Sequence, residues 1–180
     1  MRKAIYAGTF APPTKGHEYV FQKMSQMFDE VVIAVGANSD KAPMFSVEDR
    51  IKMLQEITAG MPNTTIASFP NEFLVLYMKS IGTQVSVRGM RDSTDFQYEL
   101  NMQRVNEDLD PNITTCFLVP PRDLAYVSSS LVRGMLNPKG GELAVAKYVS
   151  PIVLRQLIGV KHKTWEQLQK MGATGDKYEF

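Results

Sequence analysis

The sequence predicts an α/β fold: one domain with a doubly wound parallel sheet, closed by helices at its C-terminal end. Three observations carry this. Strand-length apolar runs alternate with stretches of helical spacing, the pattern of βαβ units. The runs are continuous rather than polar–apolar alternating, as in strands covered on both faces. The 180 residues suit a single domain with a real core. That domain is expected over 1–158, with 159–180 as a C-terminal extension of unknown role.

KAIYA, from Lys3 and ending at Gly8, is the first strand. From His17 onward Val20, Phe21, Met24, Met27 and Phe28 fall at helical spacing. VVIAVG, from Val31, is the second strand. FSVEDRIKMLQEITAG opens with Ser46 and has Asp49 three residues on, the spacing of a capping box, and it ends at Gly60. NTTIASF is the third strand, FLVLYMKSIG a helix closed by Gly82, and QVSVRG the fourth strand. A long helix follows from Ser93, with Phe96, Leu100, Val105 and Leu109 apolar. ITTCFLV is the fifth strand, and SSSLVRGML starts a helix with serines at its mouth. Pro12–Pro13, Pro43, Pro120–Pro121 and Gly140–Gly141 punctuate the loops.

Composition narrows the function. With 44% hydrophobic and 22% charged residues the chain reads as globular rather than fibrous or disordered. Its 20 basic and 19 acidic residues leave a net charge of +1, so no basic excess points to nucleic acid. The apolar runs are far shorter than the ~20 residues of a membrane helix, so no membrane partner is expected. The one cysteine, Cys116, has no partner for an internal disulfide, which suits a reducing cytoplasm. The eleven methionines read as adaptable core filler.

Doubly wound sheets bind ligands beyond the carboxyl ends of their strands, so the segments after each strand are the ones to read for chemistry. After the first strand comes GTFAPPTKGH: Gly8 permits a tight turn, Thr9 adds a hydroxyl donor, and Gly16–His17 open a helix whose free N–H groups suit phosphate. His17 can donate an imidazole N–H to a phosphoryl oxygen. Lys41 follows the second strand and is a candidate point charge on a phosphate. Arg88 ends the fourth strand and Arg91 stands three residues on, two forks that can grip phosphates or pair with Asp92 and Asp95. Ser128, Ser129 and Ser130 place hydroxyls and backbone N–H groups at a helix mouth, facing one anion.

In order, these segments read GTFAPPTKGH, SDKAPMFSVEDR, VRGMRDSTDFQYE and YVSSSLVR. They resemble the GTFDPxTNGH, SxKxPxFxxEER, VRGLRxxxDFxYE and FISSSLVK of the bacterial phosphopantetheine adenylyltransferases, a branch of the HxGH nucleotidyltransferase superfamily. The likeness runs from Met1 to about Leu157, four segments in register.

The resemblance implies a Rossmann-like nucleotidyltransferase fold and a reaction. Family members transfer the adenylyl group of ATP to 4′-phosphopantetheine, giving dephospho-coenzyme A and pyrophosphate. It implies that Thr9, Phe10 and His17 meet the reacting phosphates and that Lys41 and Arg88 hold the acceptor phosphate. Arg91 and Ser128–Ser130 would take the departing pyrophosphate. Gly89, Met90, Glu99, Leu124, Ala125, Tyr126 and Val127 would line the ATP site, and Leu74 would touch the pantetheine arm. It further implies Mg²⁺ held by ATP phosphates and water without a dedicated protein ligand, inhibition by coenzyme A, and a homo-hexamer.

The chain departs from the family pattern at Ala11, in place of Asp, and at Lys15, in place of Asn. Ala11 is expected to loosen the first loop, and Lys15 to add attraction for ATP. Leu76 replaces a common acidic residue on the pantetheine side. A paralogue acting on another phosphomonoester, or a non-catalytic nucleotide or coenzyme A binding module, are the alternatives.

Overall fold

A computed structural model describes residues 2–36, 44–69 and 72–159. Five strands form one parallel sheet: β1 (Lys3–Gly8), β2 (Glu30–Gly36), β3 (Thr64–Phe69), β4 (Val85–Gly89) and β5 (Thr114–Leu118). Their order is β3-β2-β1-β4-β5, so the chain winds outward one way from β1 and then returns to wind the other way from β4. The register of β1 on β2 runs from Lys3 opposite Glu30 to Gly8 opposite Val35.

Helices α1 (Lys15–Met27), α2 (Val47–Ile57), α3 (Leu74–Ser80) and α4 (Ser93–Leu109) connect the strands, and α5 (Ser129–Leu136) and α6 (Gly141–Val145) follow β5. Residues 151–159 form a last helical stretch. Alternation along β1 explains why both faces of the sheet are apolar. Ala4 and Tyr6 join Val20, Phe21 and Met24 of α1 and Leu54 of α2 on one face. Ile5 and Ala7 join Val75 and Met78 of α3 on the other.

A separate apolar cluster, with Phe45, Met53, Val132, Leu136, Val145, Val149, Val153 and Leu157, holds the C-terminal helices down. Gly140 (φ 76°) turns the chain into α6, and a side chain on Gly141 would meet the Met135 carbonyl at 2.1 Å, so only glycine fits there. Met24, Met53 and Met78 are buried in these clusters, in line with their reading as core filler.

Candidate active site

The cavity opens beyond the carboxyl ends of β1 and β4, where the winding direction reverses and where such sheets bind ligands. Its volume is about 290 Å³. The loop after β1, the start of α1, the end of β4, the first turns of α4 and the mouth of α5 line it.

The Thr14-Lys15-Gly16-His17 spacing acquires a physical meaning here. Thr14 is the N-cap of α1 and His17 its third helical residue, so the pair forms a capping box with histidine in the place of glutamate. The Thr14 hydroxyl accepts the His17 backbone N–H at 3.4 Å, and His17 Nδ1 accepts the Thr14 backbone N–H at 3.0 Å. A backbone amide only donates, so Nδ1 must be an acceptor and the neutral ring carries its proton on Nε2. Burial, reinforced by the Arg91 and Arg88 guanidinium groups, pushes the His17 pKa down to about 4. At neutral pH His17 is therefore an uncharged donor through Nε2. Its ring is held by Phe10, edge-on at 5.2 Å, and by Phe21, stacked at 6.5 Å between centroids.

Phe10 is buried and has φ 46°, a left-handed conformation that costs a non-glycine residue about 1–2 kcal/mol. Gly8 accommodates its ring, because a Cβ there would lie 2.9 Å from it. The turn is tied down from outside. Ser129 Oγ donates to the Pro12 carbonyl at 2.8 Å, and Arg133 donates to the Ala11 carbonyl. The loosening expected of Ala11 is thus opposed by two bonds from α5. Lys15 does not add charge to the cavity: its ammonium donates to the Lys147 carbonyl at 2.9 Å, pinning α1 to the C-terminal segment.

Both expected arginines reach the cavity, each already gripped by a carboxylate of α4. Arg88 binds Glu99 through two bonds of 2.7 and 2.6 Å and donates to the Ala7 carbonyl. Burial works against its charge, and Glu99 outweighs this, holding the Arg88 pKa above its ordinary value. Arg91 binds Asp95 through bonds of 2.7 and 2.8 Å. Asp95 and Glu99, four residues apart, face the cavity from one side of α4.

The three serines divide their work instead of facing one anion alike. Ser128 Oγ caps α5 by accepting the Leu131 N–H, Ser130 Oγ accepts from Arg133, and among the described residues only Ser129 finds an acceptor for its hydroxyl proton. Ser128 and Ser130 keep their O–H donors.

Among the predicted residues, Thr9, Phe10, His17, Arg88, Gly89, Arg91, Glu99, Leu124, Val127 and Ser128–Ser130 line the cavity. Met90 continues the β4–β5 ladder by donating to the Leu118 carbonyl, Tyr126 is exposed and bonded to the Tyr148 hydroxyl, and Leu74 packs against the apolar cluster around Ile5, Val32 and Val75. These three and Ala125 do not line the cavity. Lys41 lies outside the described residues. Tyr6, Val20, Asp95 and Pro120 also line the cavity, which the sequence motifs do not predict. The sequence marks Asp95 only as an ion-pair partner, and the other three carry no signal beyond their apolar character.

A model of the Cytidylyltransferase-like family matches residues 5–135. The phosphopantetheine adenylyltransferase of Chromobacterium violaceum is 42% identical over 160 residues, 89% of this chain and 98% of its own. That of Neisseria meningitidis serogroup B is 41% identical over 87% of this chain and 92% of its own. Among solved structures, the nicotinic acid mononucleotide adenylyltransferase of Plasmodium falciparum complexed with NaAD aligns with a TM-score of 0.64 at 17% identity, covering 88% of this chain and 95% of its own. TmcAL of Thermotoga maritima, bound with alpha-thio ATP, aligns at 0.69 with 10% identity, over 91% of this chain and 56% of its own. These last two show the shared fold, and the sequence relatives go further: with about two residues in five identical across nearly its whole length, the chain belongs to the phosphopantetheine adenylyltransferase family.

Proposed function

We propose that the protein transfers the adenylyl group of ATP to 4′-phosphopantetheine, releasing pyrophosphate and forming dephospho-coenzyme A. The observation that carries this reading is a neutral His17, proton on Nε2, in a cavity it shares with two arginines and a helix mouth. The acceptor phosphate is itself the nucleophile. Its oxygen attacks the α-phosphorus, the bond to the bridging oxygen of the β-phosphate breaks, and pyrophosphate carries away the electron pair. Positioning and charge stabilisation are what the protein must add.

His17 Nε2–H donates to the α-phosphoryl oxygen as charge builds there. Neutrality suits it, since it loses no proton to solvent and gives none to the phosphate. Arg91 and the N–H groups of α5, with the Ser128 and Ser130 hydroxyls, hold the β- and γ-phosphates. Arg88, oriented by Glu99 and the Ala7 carbonyl, presents its remaining N–H groups to the acceptor phosphate with Lys41. Gly89, Glu99, Leu124 and Val127 enclose the nucleotide, while Leu74, Met90, Ala125 and Tyr126, outside the cavity lining, would reach the substrates only at its margin. Magnesium supplies charge neutralisation of the triphosphate. The two cavity carboxylates, Asp95 and Glu99, are each bonded to an arginine, so phosphate oxygens and water would hold the cation. Coenzyme A as inhibitor, a homo-hexameric assembly and a cytoplasmic location complete the proposal.

The test is pyrophosphate release by the purified protein with Mg²⁺-ATP, with and without 4′-phosphopantetheine, with CTP and other phosphomonoesters as parallel arms. Release only with ATP and 4′-phosphopantetheine, with dephospho-coenzyme A as product, is expected. Release with a different pair would overturn the substrate assignment.

A further inference from the structure

Three alternate carbonyls, one at the end of β1 and two in the loop leaving it, are each held by a guanidinium from a different element. Arg88 of β4 donates to Ala7, Arg50 of α2 to Thr9, and Arg133 of α5 to Ala11. Arg88 faces the cavity, whereas Arg50 and Arg133 do not line it.

Arg50 is the unusual member. It is 2% exposed, and among the described residues no carboxylate lies within ion-pair distance of it. Nη1 donates to Thr9 at 2.7 Å and to the Gly36 carbonyl, at the end of β2, at 3.0 Å; Nε donates to Ser46 at 3.2 Å. A buried cation satisfied by backbone carbonyls is an expensive arrangement for mere packing.

What it holds explains the placement. The Thr9 carbonyl belongs to the peptide plane that begins the φ rotation of Phe10, the residue at φ 46°. Fixing that plane fixes the turn. The Phe10 ring in turn packs edge-on against His17. Arg133 holds the far side of the same turn and reaches Ser130 Oγ at 2.9 Å, joining the loop to the mouth of α5. The arginines also cover carbonyl oxygens, the negative ends of peptide dipoles, at the border of a cavity that must accept phosphates.

We propose that Arg50 and Arg133 are positioning residues that clamp the Thr9–Phe10 turn in its left-handed conformation and so set the alignment of Thr9 and His17 on the reacting phosphates. The catalytic half of this inference rests on the adenylyltransferase reading; the clamp itself does not.

The test uses the full-length protein and the variants Arg50→Lys, which keeps the charge and loses the fork, and Arg133→Met, which removes the donors to Ala11 and Ser130. Thr83→Val is the control. It removes a buried hydroxyl bonded to the Lys3 carbonyl at the opposite end of β1, far from the cavity. Each is measured for Tm, for kcat and KM in pyrophosphate release, and for hydrogen–deuterium exchange of the segment spanning residues 8–12. Arg50→Lys should lower kcat by roughly ten- to a hundredfold, the cost of a misaligned reacting group. It should also speed exchange of that segment at least tenfold on the order-of-magnitude scale of lost local protection. Arg133→Met should do the same to a smaller extent. Thr83→Val should lower Tm with kcat unchanged. If both variants fold and keep wild-type kcat and exchange, the clamp is overturned; should Arg50→Lys fail to fold, Arg133→Met decides alone. A wild-type protein that releases no pyrophosphate would sink the adenylyltransferase reading, while the exchange comparison would still decide the clamp.

Discussion

Helices α1 and α4 both bring their first turns to the cavity, and they are held there by different forces. α1 buries Val20, Phe21 and Met24 against the sheet. α4, at 17 residues the longer, buries only Asn106, and Phe96, Tyr98, Met102, Val105 and Leu109 on it are 36–63% exposed. Packing sets α1, and its functional group is an uncharged imidazole. Charge sets the start of α4, through Glu99 on Arg88 and Asp95 on Arg91. One wall of the site is therefore preorganised and insensitive to ions, whereas the other is built from groups that a phosphate can engage. A transferase that must bind two anions and release a third has use for both.

His17→Ala should lower kcat by on the order of 10²–10³-fold with little change in ATP affinity, as for loss of one preorganised donor. Steady-state kinetics beside ATP titration calorimetry checks this, and a near-normal kcat would remove α1 from the chemistry. On the other wall, Arg88→Ala should raise the acceptor KM by roughly ten- to a hundredfold, the scale of a charged hydrogen bond. An unchanged acceptor KM would make Arg88 structural.

Thr14→Ala sharpens the contrast. It removes the cap of α1 and should cost about 1 kcal/mol of stability in chemical denaturation, while the Thr14 amide still holds Nδ1 and preserves most of kcat. The pH response separates the walls further. The folded pKa of His17, about 4, lies below its ordinary value of 6.5, so between these values the unfolded chain binds more protons. The contribution of His17 to stability is complete above pH 6.5 and is lost as pH falls through 6.5 toward 4. The difference in unfolding free energy between wild type and His17→Gln, followed from pH 8 to 4, should shrink in that window, and kcat should show no His17 inflection near 6.5. The smallest effect belongs to Asp95→Asn. Its partner Arg91 is 35% exposed, so the pair is worth only about 0.3–0.5 kcal/mol to stability. Its removal should show instead as altered pyrophosphate inhibition.

Much of the fold is legible in the chain order. Ser93–Leu109 forms a helix over the stretch read from its first serine, and all five strands fall on the apolar runs. Backbone hydrogen bonding and local periodicity decide such elements, and both are written locally. Of the capping box expected at Ser46–Asp49, the N-cap half forms, Ser46 Oγ accepting the Asp49 N–H at 3.1 Å, while the Asp49 carboxylate takes the Ser46 hydroxyl at 2.9 Å in place of its backbone N–H. The candidate site is legible as four motifs, because phosphate chemistry asks for glycine turns, helix mouths and guanidinium forks at strand ends.

Less legible is what each group does there. That Thr-x-Gly-His is a capping box follows from spacing alone once histidine is allowed the role of glutamate. Arg50 also leaves a trace: it stands among Val47, Ile51 and Leu54, on the face of α2 that should be apolar, as a charge out of place. Lys15 leaves none. Its partner, the Lys147 carbonyl, is 132 residues away, and no local pattern encodes a bond of that separation.

The sequence by itself determined the alternation of strands and helices, the phosphate-seeking motifs after the strands, and the family, since each depends on residues near one another in the chain. Only the tertiary structure decided the tautomer and depressed pKa of His17, the carboxylate partner of each arginine, and the three guanidinium groups on Ala7, Thr9 and Ala11. Those properties arise from burial and from charges that distant elements bring within a few ångströms, and the strength of both depends on the folded surroundings rather than on neighbours in sequence.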